Sequence, residues 1–320
     1  MTPNPAVDVT YRVARQVVGE TVRVQEVRRR AGGKGVNVAR VLRLLAEDVV
    51  AVHPLGGAAG AWVAAQLAQD GLPAESVDVA GETRTTVAVA DGASHPTLYA
   101  EPGPVLGEDD WERLVDAAAR SCAPDAVLVV AGSTPPGVAP DAVADLVRAG
   151  RRAGALVVVD TSGPGLVAAA RAGADVLRPN AAEAVAAVGA DDLRGALDAL
   201  LGLGAGRLVV SRGSEGLVAV DRAGGRWQQA AVPDVEGDPT GAGDAATAGY
   251  VAALAAGAGT PEALLRAALC GAAAVLQPVA GALDLDDLPV LERRLRAAAA
   301  PGGEAARPPS ADRSPQERPT

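Results

Sequence analysis

Apolar runs at residues 126–131, 156–160, 175–177 and 208–211 have the length of strands and lack polar alternation. They are interleaved with stretches at about 141–153, 164–172, 181–188 and 193–203, whose apolar positions recur at helical spacing. Continuous apolar strands alternating with helices predict βαβ units and a parallel sheet covered on both faces. Residues 21–28, 85–91 and 96–101 follow another rule. They alternate, as in Thr86-Val87-Ala88-Val89, and Asp91-Gly92 is a turn signal between two of them. These segments predict a small antiparallel sheet growing out of the α/β body, a lid with strands drawn from about 9–30 and 84–101. Long Ala-rich helices are expected at 241–257 and 261–277, and a last one at 285–300. Residues 1–300 form one domain in this reading. Residues 301–320, rich in Pro and charge-balanced, are expected to be disordered.

Composition narrows the function. No run approaches the roughly 18 apolar residues of a membrane span without Arg, Asp, Gly or Pro interrupting it. The start, Met-Thr-Pro-Asn-Pro-Ala-Val-Asp, has neither the basic nor the apolar region of a signal peptide. Cys122 and Cys270 are too few for a disulfide framework, and with His53 and His95 they form no metal-binding spacing. The expected compartment is a reducing cytoplasm. A net charge of −10 argues against nucleic acid as a partner. Phe and Ile are absent, and of 29 basic residues only Lys34 is lysine. Asn4, Asn37 and Asn180 are the only asparagines. In a chain drifting toward Ala, Gly, Arg and Val, a position that stays Lys or Asn points to a need for that side chain's own geometry. An ammonium is a compact point charge, a guanidinium a wide planar fork.

Two Gly-rich stretches carry chemistry. Asp238-Pro-Thr-Gly-Ala-Gly-Asp244 leads directly into a helix. Glycines at a helix start let backbone amides approach an anion, and the helix dipole adds positive potential there. Such a turn can hold a phosphoryl group, with an Asp beside it to take a proton from an attacking hydroxyl. It also fits Gly-x-Gly-x-x-Ala, but the dinucleotide fingerprint belongs in an early βαβ unit with an acidic residue about 20 positions on, and only Glu262, in another helix, is near that place. The other stretch, Ala31-Gly-Gly-Lys-Gly-Val-Asn-Val-Ala-Arg40, is not a P-loop, since no Ser or Thr follows the Lys. Read alone it is a Gly-rich entry to an amphipathic helix. Asn180-Ala-Ala-Glu183 has the pattern of a helix cap with its box completed by Glu.

Together with Asn4-Pro-Ala-Val-Asp8, these stretches resemble the ribokinase-like carbohydrate kinase superfamily, the phosphofructokinase B group. The forms Gly-Gly-Lys-Gly and Asn-Pro-Ala-x-Asp are most similar to its branch of 1-phosphofructokinases and tagatose-6-phosphate kinases. The resemblance spans about residues 2–285. It includes Glu82-Thr-Arg84, Glu101-Pro-Gly-Pro104, Gly132-Ser-Thr-Pro-Pro-Gly137 and Ser211-Arg-Gly-Ser-Glu-Gly216.

The resemblance implies a three-layer αβα sandwich with a mainly parallel sheet and an antiparallel lid. It implies phosphoryl transfer from ATP to a sugar phosphate, first choice fructose 1-phosphate, with tagatose 6-phosphate or fructose 6-phosphate as alternatives. A kinase for a free sugar or nucleoside, and an inactive binding regulator, are the remaining rivals. Asp8 and Asn37 would bind sugar hydroxyls, with Gly33 packed on the sugar. Lys34, Arg84 and Ser133 would hold the acceptor's phosphate, with Glu101 at the same site. Ser211, Gly213, Gly216 and Thr240 would flank the nucleotide, and Asn180 and Glu183 would place Mg²⁺ largely through water. Gly241, Ala242 and Gly243 would form the anion hole and Asp244 the base. A carboxylate at a helix start should stay ionised at neutral pH. The lid would join two copies into a homodimer. The chain begins where such kinases have already run a strand, so an apolar strand is expected before Thr2, lost either to a late start site or from the sheet itself. Ala131 stands where Ser is common, and Arg178 where Lys is common.

Overall fold

The computed structural model describes residues 1–92 and 96–299; His95 and the stretch 301–320 lie outside the described residues. Strands β1 (Ala6–Val13) and β2 (Val24–Gly32) lead into helix α1 (Lys34–Leu44), followed by β3 (Ala51–Leu55), α2 (Gly57–Gln69) and β4 (Ala74–Asp78). Strands β5 (Arg84–Ala90) and β6 (Thr97–Ala100) precede α3 (Glu108–Arg120). The middle of the chain alternates: β7 (Val127–Ala131), α4 (Val143–Arg152), β8 (Leu156–Asp160), α5 (Gly163–Arg171), β9 (Val176–Leu177), α6 (Ala181–Val188), α7 (Leu193–Leu203) and β10 (Arg207–Ser211). It closes with β11 (Leu217–Asp221), β12 (Arg226–Gln229), α8 (Ala242–Ala255), α9 (Thr260–Val275) and α10 (Asp287–Ala299).

The alternating elements build a six-stranded sheet in the order β12-β11-β10-β9-β8-β7. Its β7 to β10 portion is parallel, and β11 and β12 are antiparallel. The continuous apolar runs are explained by burial on two sides. Leu128, Val130, Val157, Val159 and Val210 pack into one core with α3 to α7. Val129, Ala131, Val158 and Val209 point to the opposite core, under α1, α8, α9 and α10. Three layers result, and the carboxyl ends of β7 to β10 open on one edge, where ligands of α/β sheets bind. Among the described residues no helix is long and apolar enough to cross a membrane.

The lid departs from expectation. It is four-stranded, in the order β2-β1-β5-β6, and β1 pairs with β5 in parallel, so the sheet is mixed rather than antiparallel. The reason is topological. β1 and β5 both leave the α/β body in the same direction, and each folds back through its own hairpin partner, β2 or β6. Asp8 therefore lies within a lid strand rather than before it, opposite Arg30 on β2 and Thr86 on β5.

Between β3 and β7 the chain's first two residues bridge the sheets. The Met1 amine donates to Val129 O at 2.8 Å, Ala131 N to Met1 O at 3.1 Å, and Thr2 N to Val52 O at 2.8 Å. A cavity of about 320 Å³ beside them is lined by Val38 and Leu42 of α1, Val52 of β3, Ala118 of α3 and Leu128 of β7.

Candidate active site

A cavity of about 960 Å³ lies between the lid and the carboxyl ends of the parallel strands. Its floor is built by the Gly-rich stretch before α1. The Gly33 amide opposes the rise that burial causes in the Asp8 pKa, and a side chain on Gly32 would fall directly onto the Asp8 carboxylate. Gly33 caps α1 with φ 102°, a conformation that favours glycine. Arg40, buried in α1, donates to Ala31 O and pairs with Asp70 at 2.9 Å, which pins the approach to this turn.

Opposite it, the Asp238–Asp244 stretch turns into α8. Gly241 has φ 82° and lies so close to Ala280 that a Cβ there would stand 2.7 Å from the Ala280 Cβ. The amides of Gly243 and Asp244 belong to the first turn, where no preceding carbonyl of the helix can accept them. Both residues line the cavity with Gly241 and Thr240. An anion can be held there by amides and helix dipole together.

Asp244 is buried, and one carboxylate oxygen accepts Asn37 Nδ2 at 2.9 Å. Burial, reinforced by the charge of Asp160, pushes its pKa up to about 7, against the Asn37 bond and Lys34. This corrects the expectation of a carboxylate fully ionised at neutral pH: removal from water outweighs the helix-start potential. A base with this pKa is better matched to proton transfer near neutrality than an ordinary Asp.

Two groups of cations face the cavity. Lys34 Nζ is 2.9 Å from Asp160 Oδ1. Burial alone would lower its pKa, but Asp160, Glu183 and Asp244 more than offset it and the pKa is raised. Arg28, Arg29, Arg30 and Arg84 line the lid wall. Of these four, Arg30 and Arg84 are the two whose charges act on Asp8, whereas Arg28 is paired with Glu26. Arg84 donates to Asn4 O at 3.2 Å and Glu101 O at 3.3 Å, and the charges acting on it are Asp8 and Glu101. Lys34 thus belongs to the Asp160–Asp244 end, and Arg84 to the lid end.

The other expected residues divide by position. Asn180, Glu183 and Ser211 line the cavity at the ends of β9 and β10. Asn180 and Glu183 complete the capping box of α6, Asn180 Oδ1 accepting Glu183 N at 2.8 Å and Glu183 Oε2 accepting Asn180 N at 2.9 Å. Ser133, Glu101, Ala242, Gly213 and Gly216 are not among the cavity-lining residues. Glu101 instead accepts the Thr85 amide at 2.7 Å. Gly216 packs against the backbone of Gln229 and Ala231.

Sequence reasoning missed Asp160 and Arg178. Both are buried and both line the cavity. Asp160 ends an apolar strand at the carboxyl edge of the sheet, which was the available signal.

Oxygen donors suit a hard cation such as Mg²⁺. Among the described residues no group of three or more His, Cys, Asp or Glu could hold a metal by itself. That fits Mg²⁺, which keeps several waters and leans on substrate phosphates. Asn180 and Glu183 are the side-chain oxygen donors at the ends of β9 and β10 that line the cavity beside Ser211.

The family model described as pfkB family carbohydrate kinase matches residues 1–287. The chain is 32% identical to ATP-dependent 6-phosphofructokinase isozyme 2 of Mycobacterium tuberculosis, over 94% of this chain and 89% of that one. It is 35% identical to 1-phosphofructokinase of Xanthomonas campestris pv. campestris, over 79% and 83%. The crystal structure of phosphofructokinase-2 from Escherichia coli in complex with fructose-6-phosphate superposes with a TM-score of 0.82 at 30% identity, covering 92% of this chain and 97% of that one. The cavity with its buried Asp, the ribokinase-like α/β architecture and these matches agree: the chain belongs to the pfkB family of carbohydrate kinases and is a sugar-phosphate kinase.

Proposed function

We propose that residues 1–300 work as one unit that transfers the γ-phosphoryl group of ATP to a ketohexose phosphate, with fructose 1-phosphate as first choice and fructose 1,6-bisphosphate as product. The observation that carries this reading is the pair of separate cation groups, Lys34 beside Asp160 and Arg30 and Arg84 around Asp8. A free sugar needs only the first. A phosphorylated acceptor needs a second charge at its far end.

In this reading the acceptor lies between the groups. Arg84, with Arg30, takes its phosphate, and Asp8 and Asn37 take its hydroxyls. Lys34 meets the transferred group, a change from the acceptor-phosphate role that the sequence suggested. The acceptor hydroxyl attacks the γ-phosphorus, the bond to the β-phosphate oxygen breaks, and the proton passes to Asp244. Phosphoryl transfer is mostly positioning and charge stabilisation, so the amides of Gly243 and Asp244 and the Lys34 ammonium supply the main effect. Mg²⁺, when bound with ATP, neutralises charge on the nucleotide phosphates; Asn180 and Glu183 would hold it through water. Ser211 and Thr240, both on the cavity wall, would flank the nucleotide.

Fructose 6-phosphate is the second acceptor to test, favoured by the near-full-length likeness to a protein named 6-phosphofructokinase. We further propose a homodimer through the lid, whose strands leave Val27, Leu98 and Tyr99 exposed. A coupled ADP-release assay across phosphorylated and free ketohexoses tests the acceptor. The expected result is kcat/KM at least about 100-fold higher for the phosphorylated sugars, the range of a lost charge-assisted contact, with fructose 1-phosphate highest. Equal turnover of free fructose would reject the reading.

A further inference from the structure

Asp160 contributes a buried carboxylate, only 5% exposed, to a cavity whose substrates are anions. A negative charge there opposes binding unless it does something else. Both of its oxygens are occupied. Oδ1 holds Lys34 Nζ at 2.9 Å, and Oδ2 accepts the Thr247 hydroxyl at 2.9 Å. Thr247 lies three residues after Asp244 in α8, on the same face of the helix. Its oxygen also accepts Arg178 Nε at 3.2 Å, and the Arg178 guanidinium stands over the Tyr250 ring at 5.7 Å. The result is a chain of contacts running from β9 through α8 and β8 to the one lysine of the protein.

We propose that Asp160 is a positioning residue: it fixes the Lys34 ammonium relative to α8, and thereby to Asp244, at the point of phosphoryl transfer. This rests on the reading of Lys34 as a ligand of the transferred group. A lysine is a point charge on a flexible four-carbon stem, and left free it samples many rotamers. Here the Lys34 side chain is still 42% exposed, so packing alone does not hold it. A carboxylate anchored at its second oxygen by Thr247 does. A stabilising role alone is a weaker explanation, because buried ion pairs contribute little net stability.

The test is a double-mutant cycle on turnover with Asp160→Asn and Lys34→Met, each variant checked for folding by circular dichroism. Asp160→Asn is expected to lower kcat about 10- to 100-fold, the range for a charge-assisted contact, with the KM for ATP little changed. In the Lys34→Met background the same substitution should cost almost nothing further, since its effect passes through Lys34. If the two losses multiply, or Asp160→Asn turns over like wild type, Asp160 does not act through Lys34 and the proposal falls. If Lys34→Met alone keeps wild-type turnover, the underlying role of Lys34 is what fails, and the proposal with it. Should Asp160→Asn not fold, Thr247→Val in both Lys34 backgrounds reads the same coupling from the other end of the carboxylate, with the same two outcomes.

Discussion

Asn37 and Asp244, 207 residues apart in sequence, meet through a 2.9 Å hydrogen bond at the floor of the cavity. The bond joins α1, entered through the Gly-Gly-Lys-Gly stretch, to the first turn of α8. It is also what keeps Asp244 from rising further, since an acceptor bond favours the ionised form and opposes the effect of burial.

The pH dependence follows from this balance. Asp244 must be ionised to accept a proton, so kcat/KM should rise with pH through about 7 and level off above it. Asn37→Ala removes a bond that lowers the pKa, so the rising limb should move to higher pH. The linked effect on stability has the opposite sign. A carboxyl raised in the folded state favours folding when protonated, and that contribution is lost as pH rises from about 4, its unfolded value, to about 7. A pH–rate profile of both proteins checks the limb, and an unmoved limb in Asn37→Ala would reject the assignment.

Gly32→Ala tests the floor. Its Cβ would overlap the Asp8 carboxylate, so Asp8 must move away from the Gly33 amide. Overpacking of this kind costs about 1–3 kcal/mol. The expected outcome is a lower melting temperature together with a raised KM for the acceptor, and an unchanged KM for ATP. An unchanged acceptor KM would mean that Asp8 does not bind the sugar.

The two cation groups should separate kinetically. Arg84→Ala is expected to raise the KM for a phosphorylated ketohexose about 10- to 100-fold and to leave a free ketohexose nearly unaffected. Lys34→Arg keeps the charge but should lower kcat, because a planar fork cannot take the ammonium's place beside Asp160 Oδ1. Steady-state kinetics on both acceptors distinguish them. If the two variants show the same pattern, the division into two groups is wrong.

How much of this was legible in the sequence differs by element. Strand β8 ends on the residues its apolar run suggests, because a strand buried on both faces leaves an uninterrupted signal. Strand β3 gave no such signal. It contains His53 and Pro54, both buried, and His53 is held neutral beside Ser76. Parallel pairing of β1 with β5 was not readable, since alternation reports which face is buried and not which strand is the neighbour. The glycines and Asp244 were legible as the start of a helix. The pKa of Asp244 was not, because it depends on burial by residues far away in sequence. Arg178 read as compositional drift, yet it is buried over Tyr250 and joined to Thr247.

The central claim is that Asp244 takes the proton from the acceptor hydroxyl. Asp244→Asn keeps the size of the side chain and removes the base. Turnover measured by ADP release, beside nucleotide affinity measured by calorimetry, tests it directly. The expected result is a fall in kcat of roughly 10²–10⁴ at nearly constant nucleotide affinity; a variant that keeps more than half of wild-type turnover would remove Asp244 from this role.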